Sequence, residues 1–199
     1  SSDLDHLETG LRGVPVGYCP TSSVDPQKGL YYMGRPVSEM AQNSPEEVIY
    51  LLVYGHSPDE EQLNLFSNTL YQRANCSDEL LGHIRSFPKK GHPMKLFNAA
   101  LLLCGALEGK DDYKEDCLDI IAKVPEIAAA VINHHAGWDN HKSDPERGYM
   151  ENFVHMLQAP DLDKDKFIPV MRLFDVLHFD HGGGNLSTFT GKCVASGLE

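Results

Sequence analysis

The feature that most constrains the fold is a helical period of apolar residues, which runs through the chain from residue 44 onward. Apolar side chains three and four positions apart lie on one face of a helix and can pack together. Short polar loops separate the periodic segments, with neither a low-complexity linker nor an internal repeat among them. The sequence therefore predicts a mainly α protein, with helices over residues 36–199 that form one domain or part of one.

Two of these segments carry a full set of helix-start signals. In NSPEEVIYLLVYG, Ser44 is the expected N-cap, Glu47 closes a capping box and Gly55 ends the helix. In SPDEEQLNLFSNTLYQRAN the same opening recurs, with Ser57 as the expected N-cap. Further helices are predicted in SDELLGHIRSF, HPMKLFNAALLLCGALEG, DYKEDCLDIIAKV, PEIAAAVINHH, DPERGYMENFVHMLQ and DKFIPVMRLFDVLHFD. In the last segment the predicted apolar stripe consists of Phe167, Val170, Met171, Phe174 and Leu177.

A β-hairpin is predicted ahead of the helices, within residues 14–33. Two short apolar-rich runs, VPVGYC and GLYYMG, lie on either side of DPQKG. Pro26 and Gly29 are residue types that favour a tight turn. We therefore expect one antiparallel pair of strands joined at this turn.

Two of the predicted helices are rich in alanine and apolar around much of their circumference: HPMKLFNAALLLCGAL and PEIAAAVINHH. Helices of this kind are buried on several sides, and small side chains allow neighbouring helices to approach closely. Two interpretations stay open for each segment. It is either a core helix within this chain or a helix at a dimer interface.

Composition excludes several classes of partner. The chain has 17 Lys and Arg against 29 Asp and Glu, a formal net charge of −12, and no run of basic residues. Nucleic acids and anionic membranes both require a concentrated basic surface, so neither is an expected partner. No apolar segment reaches the roughly 18 residues of a membrane span, and the five cysteines include no C-x-x-C pair. We expect a soluble intracellular protein without a disulfide framework or a zinc ribbon.

Titratable side chains are dense in NHHAGWDNH, which contains His134, His135, Asp139 and His141. The string resembles part of a motif in HD-type metal-dependent phosphohydrolases, whose metal site also needs a His-Asp dipeptide upstream. This sequence has no such dipeptide. The favoured interpretation is a helix C-terminus, where histidine complements the helix dipole. His92, which precedes a proline at a predicted helix start, is expected to be a cap or a loop residue.

A second polar cluster lies in LHFDHGGGNLSTFTG, where His178, Asp180 and His181 precede three glycines. The two histidines are three positions apart and share a helix face, and the glycines allow the backbone to approach a ligand closely. Asn185 follows, with an amide that both donates and accepts hydrogen bonds. A ligand site and a glycine-capped helix end both stay open from the residues alone. Further ligands for zinc are missing at suitable spacing.

Taken together, the segments resemble the first half of a citrate synthase over nearly the whole chain. The resemblance runs from GLRGVPVGYCPTSSVDPQKGLYYMGRPVSEMAQNSPEEVIYLLVYG through HPM and DCLDIIAKVPEIAAAVI to HFDHGGGNLSTFTGKCVASG. The last segment is the most specific, because the family carries a His-x-Asp-His-x-x-x-Asn-x-Ser string there. The resemblance implies that residues 1–199 are the N-terminal portion of the large helical domain of such an enzyme.

The resemblance also implies an activity and roles for individual residues. Citrate synthases are acyltransferases that condense acetyl-CoA with oxaloacetate, with coenzyme A thioester as a substrate and neither a cofactor nor a metal. His181 would be the catalytic ligand of oxaloacetate, beside His178 and Asn185 in the same pocket. Arg12 would reach a phosphate of coenzyme A across the dimer. The homodimer would form through the helices at 92–108 and 125–136.

Other parts of the family's active site are not expected in this chain. The aspartate that acts as general base and the Gly-Pro-Leu-His-Gly segment belong to the family's second half, and that segment does not occur here. We therefore expect a truncated chain, without the small domain, that is inactive alone. A 2-methylcitrate synthase using propionyl-CoA, an HD-type phosphohydrolase and a non-catalytic helical module remain alternatives. The expected location is the cytoplasm, or the mitochondrial matrix in a eukaryote.

Overall fold

A computed structural model describes residues 18–180 and 190–191, and in this part of the chain seven helices follow a small sheet. The strands are β1 (Ser22–Asp25), β2 (Gly29–Tyr32) and β3 (Arg35–Pro36). The helices are α1 (Pro45–Tyr54), α2 (Glu60–Arg73), α3 (Asp78–Ser86), α4 (Pro93–Glu108), α5 (Tyr113–Ala136), α6 (Tyr149–Met156) and α7 (Lys164–His178). The mainly α prediction is confirmed.

The predicted hairpin exists, but its first strand and its extent differ from the prediction over 14–33. The first strand is β1, which lies C-terminal to VPVGYC, and residues 14–17 lie outside the described residues. Its turn is stabilised by the Asp25 carboxylate, which accepts hydrogen bonds from the backbone N–H groups of Gln27 and Lys28 at 2.8 and 2.9 Å. A two-residue turn of Met33 and Gly34, both with positive φ, then adds β3 to form a three-stranded antiparallel sheet.

Helix starts follow the predicted signals in one case and correct them in another. Ser44 caps α1 by accepting a hydrogen bond from the N–H of Glu47, and Gly55 ends the helix at φ 82°. The Glu47 carboxylate accepts from the Asn43 side chain at 2.8 Å instead of closing the predicted capping box. At α2 the N-cap is Asp59, so the assignment of Ser57 was wrong. The Asp59 carboxylate and the Gln62 side chain form a reciprocal capping box, while the Ser57 hydroxyl accepts from Arg35 at 2.8 Å.

The two segments predicted as separate helices at 112–124 and 125–135 form the single 24-residue helix α5. Pro125 lies inside it and has no N–H to give to the carbonyl of Ile121, four positions earlier. The buried hydroxyl of Tyr149 donates to that carbonyl at 2.6 Å. This hydrogen bond from α6 explains how the helix continues through the proline.

Helix α5 is the centre of the fold and packs against α2, α3, α4 and α6. Its second half is largely buried within the chain, as a core helix would be, with Ile127 and Ala129 almost fully inaccessible and Ile132 37% exposed. Two buried polar side chains fix the loops around it. Glu126 accepts from the N–H of Ser143 at 2.9 Å, and Asn133 donates to the carbonyl of Met156 at 2.9 Å.

The apolar stripe predicted on α7 is only partly correct. Phe167 and Met171 pack against the core, whereas Val170 and Phe174 are 57% and 54% exposed. Val176, outside the predicted stripe, is fully buried against α1 and the sheet. Apolar residues surround most of this helix, so spacing alone allows more than one stripe, and the contacts with α1 and α6 decide which one is buried.

Helix α4 leaves two large apolar side chains on the surface of the described chain. Met94 is 53% exposed and Leu102 79%, while Leu96, Ala100 and Cys104 on the opposite face are buried. No helix in the described ranges is both long enough and apolar enough to span a membrane.

Candidate functional site

The candidate site lies at the C-terminal end of α7, where His178 is the last helical residue. Its Nδ1 lies 2.6 Å from the carbonyl oxygen of Phe174, and its ring stacks on the Phe174 ring with centroids 4.1 Å apart. A carbonyl only accepts, so Nδ1 carries a proton and donates. In the neutral ring Nε2 is therefore an acceptor, and in the protonated ring it becomes a second donor.

The sheet holds the residues that follow His178 in place. Thr21, just ahead of β1, donates from its hydroxyl to the Asp180 carboxylate at 2.5 Å. The hydroxyl of Tyr32, a fully buried residue of β2, donates to the carbonyl of Val176 at 2.9 Å and accepts from the N–H of Asp180 at 3.3 Å. Burial raises the pKa of Tyr32, so its hydroxyl keeps its proton. The chain is thereby fixed up to the residue before His181.

An acidic group lies one turn before His178. Asp175 Oδ2 is buried and has no hydrogen-bond partner among the described residues. Burial, followed by the negative charge of Glu46, raises the pKa of Asp175 to about 7, and His178 opposes that shift. Glu46 itself is satisfied, because it accepts from the Tyr71 hydroxyl at 2.6 Å and from the Tyr149 N–H at 2.8 Å.

Asp175 and His178 line an open groove of about 370 Å³ between α1, α5 and α7. The other lining residues are mainly apolar: Ile49, Leu52, Val53, Ile121, Val124, Tyr149 and Phe179. The groove therefore offers one imidazole, one carboxyl group that is protonated for part of the time near neutral pH, and apolar walls. Such a set can donate hydrogen bonds to an oxygen ligand while excluding water from one side of it.

Most of the predicted ligand residues lie outside the described residues. These are Arg12, His181 and Asn185, together with the three glycines at 182–184. His178 is the predicted site residue that the structure describes, and its orientation is set by Phe174. The prediction that His178, His181 and Asn185 meet in one pocket therefore stays a prediction, as does the contact of Arg12 with coenzyme A.

Three other histidines named in the sequence, His134, His135 and His92, have structural roles. Nε2 of His134 donates to the carbonyl of Phe87 at 2.8 Å, and Nε2 of His135 to that of Gly91 at 3.0 Å. His92 caps α4 by accepting from the N–H of Met94 at 3.2 Å, as expected. Within residues 18–180 and 190–191, no group of three His, Cys, Asp or Glu side chains is arranged to hold a metal ion.

Three residues of this region were missed at the sequence level: Thr21, Tyr32 and Asp175. Thr21 and Tyr32 are about 150 positions from α7 in sequence, and no local pattern indicates such a contact. Asp175 did leave a signal, since it is an acid inside the apolar run LFDVL of α7. A charged residue in such a setting is a candidate for function.

Comparison with known proteins gives a consistent result. A family model described as "Citrate synthase, C-terminal domain" matches residues 10–199. Mitochondrial citrate synthase 4 of Arabidopsis thaliana is 31% identical over 98% of this chain and 46% of its own length. Peroxisomal citrate synthase of Saccharomyces cerevisiae is 30% identical over 98% of this chain and 47% of its own length. The chain spans about half the length of the curated relatives it matches.

Solved structures agree with the sequence matches. The citrate synthase of Pyrobaculum aerophilum superposes with a TM-score of 0.83 at 27% identity, over 96% of this chain and 51% of that one. The citrate synthase of Thermotoga maritima gives a TM-score of 0.81 at 25% identity over the same shares. The fold, the family model over residues 10–199 and the named relatives all agree, and the chain belongs to the citrate synthase family.

Proposed function

We propose that this chain is part of a citrate synthase, which condenses acetyl-CoA with oxaloacetate and releases citrate and coenzyme A. The observation that carries the proposal is the family match over residues 10–199. The activity is an acyl transfer in which the coenzyme A thioester is a substrate. Because the chain spans about half of its curated relatives, the activity is proposed for the whole protein.

In this proposal His181 donates a hydrogen bond to the ketone oxygen of oxaloacetate. Negative charge develops on that oxygen when the methyl carbon of the thioester attacks the ketone carbon, and a fixed hydrogen-bond donor stabilises this charge. Support comes from the preceding residue, because Thr21 and Tyr32 fix Asp180. His178 and Asn185 complete the oxaloacetate pocket, and Arg12 binds a coenzyme A phosphate.

We also propose that the 199-residue chain is inactive alone. The resemblance places the general base and a second catalytic histidine in a part of the enzyme whose motifs this sequence lacks. One imidazole does not replace a positioned base together with an oxyanion donor, each of which contributes several powers of ten to the rate.

The thioester preference separates two activities within the family. A 2-methylcitrate synthase uses propionyl-CoA, which is one methylene longer than acetyl-CoA. Such a difference is worth about 1–3 kcal/mol in a pocket, or 10- to 200-fold in rate. Parallel assays with the two thioesters distinguish these activities directly. A protein that uses neither thioester would instead be a non-catalytic helical module.

A homodimer is the proposed assembly, with α4 as its main contact. Met94 and Leu102 are more than half exposed, which is unusual for large apolar side chains that lie on one helix face. The segment at 125–136 is largely buried inside the chain, so it would contribute mainly through Ile132. Location stays a prediction, since the relatives named above are mitochondrial and peroxisomal.

The role of His181 is tested in the chain extended to the end of its reading frame. We expect His181→Ala to lower kcat by about 10²- to 10³-fold, the effect of losing one oxyanion donor. The control is His83→Ala, since His83 is exposed on α3 and lies outside the proposed pocket. Equal rates for the two variants in a steady-state assay would remove His181 from the mechanism.

A further inference from the structure

A cluster of basic side chains lies at the loop between α5 and α6, in the last turn of α6 and at the start of α7. The rings of His141 and His155 are 5.8 Å apart and meet edge to face. Nζ of Lys164 donates to the backbone carbonyl of His155 at 2.9 Å, so the amine is held beside this pair. Arg147 is the fourth member: burial, and then the positive charge of Arg147, lower the pKa of both His155 and Lys164.

The charge balance of this cluster is opposite to that of the molecule. The chain has 12 more acidic than basic residues, yet Asp144 is the acid that balances these four basic groups. It pairs with Arg147 at 3.0 Å. Burial, and then the charges of Arg147, Lys164 and His141, lower the pKa of His155, and Asp144 opposes that shift. The four basic groups therefore repel one another, and a bound anion would relieve the repulsion.

The loop that carries His141 and Arg147 is anchored on both sides of the cluster. The Ser143 N–H donates to Glu126 on α5 at 2.9 Å, and the Asp144 N–H donates to Asn152 on α6 at 3.0 Å. Asn152 also donates to the Ser143 hydroxyl at 2.7 Å. These bonds position the basic groups before any ligand arrives, which lowers the entropic cost of binding.

We propose that His141, Arg147, His155 and Lys164 form a binding site for a phosphate group, carried by inorganic phosphate or by a small phosphate monoester. Both carriers present the same chemistry, an anionic oxygen cluster that accepts charge-assisted hydrogen bonds from ammonium, guanidinium and imidazolium donors. The nearby Asp144 keeps Arg147 oriented, and its negative charge lowers the affinity of the site for anions. A doubly charged anion is attracted more strongly by the four basic groups than chloride is, so the site favours it. This inference does not rest on the proposed function.

The test is a titration of the chain at constant ionic strength, with imidazole ¹H–¹⁵N correlation spectra recorded at each ligand concentration. With inorganic phosphate we expect saturable shifts of His141 and His155 and a rise in the pKa of His155, since an anion favours the imidazolium. Glycerol 3-phosphate distinguishes the two carriers. Binding of both compounds supports a site open to esters, and binding of phosphate alone supports a free-phosphate site.

Variants separate a built site from general charge attraction. Lys164→Gln and Arg147→Gln should each weaken phosphate binding about tenfold or more, the effect of losing one charge-assisted donor. Lys164→Arg should retain binding because it keeps a cation. Lys166→Gln is the matched control, since Lys166 is exposed in the same turn of α7 and pairs with Asp163. Circular dichroism checks that each variant is folded.

Three results would overturn the proposal. One is a shift that grows linearly with phosphate and never saturates. Another is an equal response to sodium chloride at the same ionic strength. The third is an equal loss of affinity in Lys166→Gln and Lys164→Gln. Sulfate, which stays doubly charged from about pH 5 to pH 8, should bind more tightly as the pH falls and His155 becomes protonated.

Discussion

Asp175 is the residue whose surroundings conflict most with its charge. In the unfolded chain an aspartate has its ordinary pKa of about 4, and in the folded chain burial and Glu46 raise the pKa of Asp175 to about 7. Between these values the folded state binds more protons than the unfolded state, so stability falls as pH rises. At 1.36 kcal/mol per unit of pKa, the carboxylate costs up to about 4 kcal/mol above pH 7.

We therefore expect Asp175→Asn to stabilise the chain in a pH-dependent way. The variant removes the charge with little change of shape, so its gain in the free energy of unfolding should be about 2 kcal/mol larger at pH 8 than at pH 5. Urea unfolding of the parent chain and the variant at pH 5 and pH 8 measures this difference. The control is Asp165→Asn on the exposed face of the same helix, which should change stability by less than about 1 kcal/mol at either pH.

Local residue signals were sufficient where the interaction is local. Ser44, His92 and Gly55 were identified correctly because a cap acts within one turn of its helix. Ser57 was chosen over Asp59 because the sequence repeats Ser-Pro, although both residues have cap-forming side chains. The burial of Asp175 was not predictable in the same way, since it depends on Glu46, some 130 positions away.

At the scale of helices, α5 shows how a side chain of one helix replaces a backbone hydrogen bond that another helix lacks. A proline in the middle of a helix leaves a carbonyl without its usual donor. Here the donor is the hydroxyl of Tyr149 on α6. The sequence predicts a break at Pro125 because it contains no information about which distant side chain replaces the missing N–H.

The energetic coupling between Pro125 and the Tyr149 hydroxyl can be measured with a double-mutant cycle. Tyr149→Phe should lower the free energy of unfolding by about 1–3 kcal/mol, because the Ile121 carbonyl loses its donor. In the background of Pro125→Ala a backbone N–H is restored, and the same change should cost less than about 1 kcal/mol. Tyr113→Phe, at a residue 74% exposed, is the control for loss of a hydroxyl. Additive costs in the cycle would contradict the account.

The same limit explains the error on α7. Its apolar residues allow several stripes, and the choice among them was made by contacts with α1 and with β2, which lies far away in sequence. The existence of the described helices followed from period and capping, apart from the continuation of α5 through its proline, whereas α6 begins at Tyr149, five residues later than predicted. The buried face of each helix was predicted less reliably, because it depends on which helices pack against each other.

At the scale of the whole molecule, the exposed face of α4 should mediate association. Leu102→Glu places a charge at the centre of that face and should raise the dimer Kd by about 30-fold or more, the cost of losing a central contact. Leu65→Glu is the matched control, since Leu65 is 69% exposed on α2. Sedimentation velocity on the parent chain and both variants measures this. A parent chain that is monomeric at every concentration would contradict a dimer.

The candidate site was only partly predictable, for a reason that applies to the whole chain. The string from His178 to Asn185 is contiguous, so its polar residues could be singled out together from the sequence. The groups that hold Asp180, Thr21 and Tyr32, are brought there by the fold and were not predicted. The resemblance supplied the roles, whereas residue spacing alone left a ligand site and a capped helix end equally open.

The most direct test is citrate formation from acetyl-CoA and oxaloacetate, followed by mass spectrometry. The 199-residue chain is assayed beside the same chain extended to the end of its reading frame, with propionyl-CoA in a parallel series. We expect citrate from the extended chain and none from the 199-residue chain. Citrate from the 199-residue chain would contradict the proposal that it is inactive alone, and no product from either thioester with the extended chain would contradict the proposed function.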